Sequence, residues 1–184
     1  MVLAGAALGI AGAVGSFFAG DSSLYVFPWP AAHNALVGVD ALSAFFLLPV
    51  FVVGALGSVY GLGYWSSREH PRTARSLRFF WGLTLAGMTL LIIGRHALSF
   101  LLGWETMALS AFFLVSTEDE KPDCRKSGLI YLVATHVGTL ALFGFFALWR
   151  AVTGSFELTP VASGAISVVA SNVLLLLGLF GFGL

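Results

Sequence analysis

ALSFLLGWETMALSAFFLV, residues Ala97–Val115, is the stretch that decides the fold. Glu105 is its only charge, and no other charge occurs before Thr117. A predominantly apolar run of roughly 20 residues spans a bilayer as an α-helix. Helix is the form expected in hydrocarbon, because it bonds its own backbone polar groups where no water can. The run lacks the alternation of polar and apolar residues that marks a strand of a membrane barrel. An ionised carboxylate at membrane depth is costly and rare, which makes Glu105 a candidate station on an ion or proton pathway.

Five similar runs surround this one. The spans are read as Val2–Ala19, Ala41–Tyr64, Leu77–Gly94, Ala97–Val115, Gly128–Trp149 and Val161–Leu184. The fold class is therefore all-α, a polytopic transmembrane bundle of about six spanning helices, with residues 1–184 forming the N-terminal part of one transmembrane domain. Composition agrees: 58% of the 184 residues are hydrophobic and 10% are charged, whereas a soluble domain carries about 25% charged residues. Formal net charge is zero, and no basic cluster suits nucleic acid. Cys124 is the single cysteine, so an intrachain disulfide and a multi-cysteine cluster are both excluded. No His or Cys spacing suits haem, iron–sulfur or zinc, and no glycine-rich phosphate loop follows a strand-like segment. No cofactor or metal is assigned, and any redox chemistry belongs to other subunits. Met1 and Val2 lead into the first apolar run without a basic region, so the N-terminus reads as a retained helix rather than a signal peptide.

Polar links separate the spans. Gly20–Asp40 carries Pro28, Trp29 and Pro30, Trp65–Ser76 carries three arginines, Arg95-His96 is a very tight turn, Thr117–Ser127 is the most charged segment, and Arg150–Pro160 joins the last two spans. Arg68, Arg72, Arg75, Arg78, Lys121, Arg125 and Lys126 fall on one side of the bundle, and Arg95 and Arg150 on the other. The richer side is expected to be cytoplasmic. That puts the N-terminus in the cytoplasm, and the location is the inner (cytoplasmic) membrane.

Residues four apart share a helix face. Thr106 and Ser110 flank Glu105, Ser127, Tyr131, Thr135 and Thr139 form a stripe with His136 beside it, and Ser163, Ser167 and Ser171 form another next to Asn172. Two readings stand for these stripes: a hydrated seam with Glu105 and His136 as titratable stations, or close helix packing through small residues. An imidazole titrates near neutrality and can relay protons, yet a hydrogen-bonded structural histidine fits His136 equally. Pairing of Glu105 with Arg95 or His96 is not expected, because they lie about 14 Å away along a continuous helix. Asp40 is read as the cap of the second span, and Pro49 is expected to kink that span. Gly5/Gly9 and Gly57/Gly61 have the spacing of helix contact faces.

Leu102-Gly103-Trp104-Glu105, Ala108-Leu109-Ser110, Phe113-Leu114-Val115, the basic Arg125-Lys126-Ser127-Gly128 and the block Ile130–Thr139 (IYLVATHVGT) follow one another at defined spacing. In this they resemble the antiporter-like proton-translocating membrane subunits of respiratory complex I, Mrp-type cation/proton antiporters and formate hydrogenlyase-type membrane-bound hydrogenases. Ile130–Thr139 is most similar to the hydrogenase-associated subunit. Gly38-Val39-Asp40, Leu42-Ser43 and Phe45-Phe46 resemble a second patch of the family.

The resemblance implies that Glu105 matches the family's intramembrane glutamate, which pairs with a lysine on a later, broken helix. It also implies about fourteen helices, so that Met1–Leu184 is an N-terminal fragment truncated before that lysine and unable to pump alone. The implied function is a proton-translocating, non-redox membrane subunit of an oxidoreductase, with Glu105 and His136 carrying proton transfer and no catalytic centre of its own. The partners are the lipid bilayer, other membrane and peripheral subunits, and protons or sodium. The alternatives are an Mrp-type sodium/proton antiporter subunit and a non-transporting packing element. In the packing case, Glu105 would face apolar side chains with no polar neighbour from the fifth or sixth span.

Overall fold

The computed structural model describes residues 2–19, 23–28, 35–162 and 164–184. Six helices follow in order: α1 Val2–Ala19, α2 Ala41–Tyr64, α3 Ala74–Ile93, α4 Ala97–Val115, α5 Pro122–Thr153 and α6 Val168–Gly183. Each packs on its neighbour in sequence. The helix starts are written locally. The Asp40 side chain accepts from Ser43 N at 2.7 Å and caps α2. His96 Nδ1 accepts from Leu98 N at 3.2 Å and caps α4. Pro122 begins α5, where its missing N–H costs nothing. Gly154 ends α5 at φ 79°, a left-handed conformation that favours glycine. Helix α2 runs through Pro49 without ending there.

Helices α1 to α5 are long and apolar enough to cross a membrane. The sixth differs from the span expected over Val161–Leu184. Residues 161, 162 and 164–167 lie outside the helix, Ser167 caps it by accepting from Ala170 N, and its 16 residues cover only about 24 Å. Helix α5 goes the other way. Its 32 residues reach about 48 Å and draw Arg125 and Lys126 out of the expected loop. Helix α3 likewise begins at Ala74 and takes in Arg75.

The first polar link also folds. Ser23–Phe27 forms β1 and Ala35–Val39 forms β2, paired antiparallel with Tyr25 opposite Val37. Trp29 and Pro30 lie outside the described residues. The tight Arg95-His96 turn is extended and bonded on both sides. Arg95 N donates to Leu36 O at 2.9 Å, Ala97 N to Phe156 O at 2.8 Å, and Leu158 N to Arg95 O at 2.9 Å. Backbone groups at the end of the bundle are thereby paired.

Two glycines set the closest helix approach. A side chain at Gly87 of α3 would lie 2.7 Å from Met107 N of α4, and one at Gly103 would lie 3.0 Å from Leu91 N. The two GxxxG pairs behave differently from expectation. Gly9 meets Phe51 and Gly57 meets Trp81, but Gly5 and Gly61 face open space. Only one glycine of each pair is a contact. The buried core at the α4–α5 seam is Ala97, Leu101, Leu142 and Phe146.

Candidate functional site

Leu101, Trp104 and Glu105 fall within about one turn of α4, on the side that meets α5. Leu101 joins the buried core with Leu142 and Phe146. The Trp104 indole donates to Thr139 Oγ1 at 3.1 Å, and its ring packs edge-on against Phe182 of α6, 5.6 Å between centroids. That clasp fixes the rotation of α4 against α5, and the neighbouring Glu105 side chain meets His136. Glu105 Oε2 lies 3.7 Å from His136 Nε2. Glu105 Oε1 is buried with no hydrogen-bond partner among the described residues.

The imidazole is oriented from its own helix. His136 Nδ1 stands 2.9 Å from Leu132 O, and a carbonyl only accepts, so Nδ1 carries the proton. Nε2 is left facing the carboxyl group. In a neutral ring it is a proton acceptor, and in an imidazolium it is a donor. The separation of 3.7 Å is longer than a hydrogen bond and falls within ion-pair reach. Glu105 is 26% exposed along its side chain and His136 45%. The pair therefore sits at an edge of the bundle rather than in its packed centre.

The other residues singled out in the sequence divide. Thr135 Oγ1 donates to Tyr131 O at 2.9 Å and Thr139 Oγ1 to Thr135 O at 3.0 Å. Those hydroxyl protons are used within α5, and Thr139 is further tied to Trp104. Ser110 is turned away from Glu105 toward α3. Its hydroxyl donates to Thr106 O at 2.6 Å and accepts from Thr84 Oγ1 at 2.9 Å. Ser127 is exposed. On α6, Ser167 is spent on the cap, Ser171 and Asn172 are exposed, and Ser163 lies outside the described residues. Among the described residues, the three polar stripes do not converge on Glu105. The structure brings His136 to it, with the Trp104–Thr139 clasp alongside.

Thr84 escaped the sequence reading. It is one hydroxyl on a mostly apolar helix, and its partner lies 26 positions away. Asp40 also has a second role that the cap signal did not reveal. Arg95 Nη2 donates to Asp40 Oδ2 at 2.8 Å and to Ser43 Oγ at 2.7 Å, so Arg95 is engaged at the end of the bundle, away from Glu105. The Ser43 amide, with the Arg95 charge, holds the Asp40 carboxyl below the usual carboxylate range. Burial pushes the His96 imidazole down, opposed by Glu157. Among the described residues, no group of three or more His, Cys, Asp or Glu is placed to hold a metal ion.

Comparison with known proteins adds to this geometry. Residues 94–184 match the family model described as NADH:quinone oxidoreductase/Mrp antiporter, transmembrane. Hydrogenase-4 component B of Escherichia coli is 29% identical over 145 residues, which is 79% of this chain and 21% of that protein. NADH-quinone oxidoreductase subunit L of Mycobacterium tuberculosis is 30% identical over 163 residues, 83% of this chain and 25% of that protein. A chain of the membrane-bound sulfane sulfur reductase, an archaeal respiratory membrane complex, superimposes with a TM-score of 0.81 at 19% identity, over 99% of this chain and 38% of that one. The chain thus spans about a fifth to a quarter of the length of these curated relatives.

Proposed function

Residues 94–184 belong to the NADH:quinone oxidoreductase/Mrp antiporter transmembrane family, and from that premise we propose that this chain is part of a proton-translocating subunit of a redox-driven membrane complex, with Glu105 as the carboxylate that loads the proton. The chain is a multi-pass, antiporter-like membrane segment. Its redox partners, the hydrogenase or quinone-reductase type of the complex, and its residence in the inner membrane with a cytoplasmic N-terminus are parts of the proposal.

The observation that carries it is the polar neighbour of Glu105. A packing element would surround that carboxyl with apolar side chains, whereas His136 of α5 stands 3.7 Å away. With Nδ1 committed to Leu132 O, Nε2 is the nitrogen that can exchange a proton with Glu105. The neutral acid gives its proton to Nε2, leaving a carboxylate beside an imidazolium. The reverse transfer restores two neutral groups, and either state is matched in charge. A cation approaching from elsewhere in the full-length protein favours the ionised carboxylate, and its withdrawal favours reloading.

The test is Glu105→Gln in the full-length protein, assayed for proton translocation in proteoliposomes after the assembled complex has been purified. Translocation is expected to be lost while assembly stays intact. Undiminished translocation rejects the proposal. The same vesicles separate the antiporter alternative, since sodium-dependent proton movement without an electron donor would assign the chain to an Mrp-type exchanger.

A further inference from the structure

One end of the bundle holds a cavity that the proton-transfer pair does not use. It lies where α2 ends and α3 begins, bordered by the start of α1 and the junction of α4 with α5. Its volume is about 660 Å³, within the roughly 300–1,000 Å³ of small-molecule sites. Leu3, Leu77, Leu114 and Val115 supply apolar wall, with Trp65 and Trp81 beside them. Tryptophans and tyrosines gather at the depth of lipid headgroups, and Tyr60 and Tyr64 also line this space.

The polar groups at the cavity are unequally occupied. The Trp65 indole donates to Thr73 Oγ1 at 2.9 Å, and the Trp81 indole to Ser58 Oγ at 3.1 Å. Glu118 borders the cavity, but both its oxygens are held by Lys121 Nζ at 2.7 Å. Arg78 is the exception. Nη1 donates to Ser67 Oγ at 3.0 Å and Nη2 to Trp65 O at 3.4 Å, while Nε is buried with no acceptor among the described residues. Its neutral partners leave the guanidinium charge unbalanced. Arg68, Arg72 and Arg75 lie exposed on the same link and the first turn of α3. Gly61 lines the cavity, and a side chain built there would meet nothing within 4 Å.

We propose that this cavity binds an anionic phospholipid of the surrounding bilayer, with one acyl chain against the leucine wall and its phosphate on Arg78. The apolar length takes a hydrocarbon tail. Nη1 and Nη2 each spend one N–H on Ser67 and Trp65, and the second N–H of either supplies a charge-assisted bond to a phosphate oxygen. The three exposed arginines draw anionic headgroups to this end of the protein, as basic pockets between transmembrane helices do.

Full-length protein in phosphatidylcholine nanodiscs doped with photoreactive phosphatidylglycerol tests it, with crosslinks mapped by mass spectrometry. Crosslinks are expected on residues 57–65 and 77–81. Arg78→Gln should lower them about tenfold, the loss of one charge-assisted bond, and Arg78→Lys should restore part of that loss. Gly61→Leu should abolish them by filling the tail space while leaving Arg78 in place. Equal labelling by photoreactive phosphatidylcholine, or labelling indifferent to both Arg78→Gln and Gly61→Leu, overturns the proposal. So does finding another helix of the full-length protein seated in the cavity.

Discussion

Asp40 and Glu105 each meet a basic neighbour, and the two pairs are built in opposite ways. Asp40, at the end of the bundle, accepts from the Ser43 amide and from Arg95, whose guanidinium also reaches Ser43 Oγ. Every contact is within hydrogen-bond distance, and the pair joins the start of α2 to the tight turn between α3 and α4. Glu105, inside a spanning helix, has one oxygen buried without a partner among the described residues and the other 3.7 Å from an imidazole. A satisfied pair holds two elements in place and has little reason to change its protonation. An incompletely satisfied pair in a low-dielectric setting responds strongly to any charge brought near. The difference between a clip and a proton station lies in what remains unpaired, not in the presence of a carboxylate.

That contrast can be broken in order of effect. Exchanging each carboxylate for its amide should separate the two pairs most sharply. Glu105→Gln removes transport with assembly intact, whereas Asp40→Asn keeps a capping side chain and leaves transport near its original rate. Proton flux in proteoliposomes reads both variants. Loss of transport in Asp40→Asn would erase the distinction.

His136→Leu comes next. Removing the group that shares Glu105's proton should slow translocation by roughly 100-fold, the lower range for a positioned proton-transfer group. A normal rate would return His136 to a structural role.

Asp40→Ala strips both cap and ion pair. It should lower stability by about 1–2 kcal/mol, held to that range because the carboxylate is 47% exposed and partly screened. Thermal unfolding of the purified complex measures it. The Asp40 contribution is present above the ordinary carboxylate pKa of 3.8 and is lost as pH falls through the lower folded value, so it should not vary between neutral and mildly acidic buffer.

His96 follows a different pH window. Its folded pKa is depressed by burial from 6.5, so the neutral ring is the stabilising form. Its contribution is complete above pH 6.5 and falls as pH drops through the folded value. The protection of the Ala97 and Leu158 amides, which bond Phe156 and Arg95 on either side of it, should fall on mild acidification once exchange rates are corrected for the intrinsic pH dependence of amide exchange. Thr139→Val should have the smallest effect, about 0.6 kcal/mol for one hydrogen bond between membrane helices. Its use is to show whether the Trp104 clasp tunes the Glu105–His136 distance, read as a modest fall in proton flux.

Legibility differed by element. The apolar runs located α1, α2 and α4 to the residue, because their flanks change abruptly: Asp40 before α2, His96 before α4 and Ser116 after it. The ends of α3 and α5 were harder, since helix continues into charged sequence wherever water can solvate the side chains. Charge therefore marks the membrane edge and not the helix end. The paired strands Ser23–Phe27 and Ala35–Val39 were hidden among prolines, although Leu24, Tyr25 and Val26 are good strand residues. At the candidate site, Glu105 was conspicuous from its cost alone. The polar stripes left two readings open, because period identifies a face without saying which neighbour that face meets. Ser110 meets Thr84 of α3, and Ser171 of α6 is exposed.

By itself, then, the sequence determined the membrane class, the helical form, the number of apolar segments and the singular cost of Glu105. Those follow from transfer free energy and backbone bonding, which act on each segment separately. Tertiary structure alone decided that Arg95 serves Asp40, that Ser110 turns toward α3, that His136 and not a serine stripe reaches Glu105, and that Arg78 borders a cavity. Each of these depends on the rotation of one helix against another, and that rotation is set by contacts such as Gly87 on Met107 and Trp104 on Thr139, whose partners lie too far apart in the chain for any local pattern to specify.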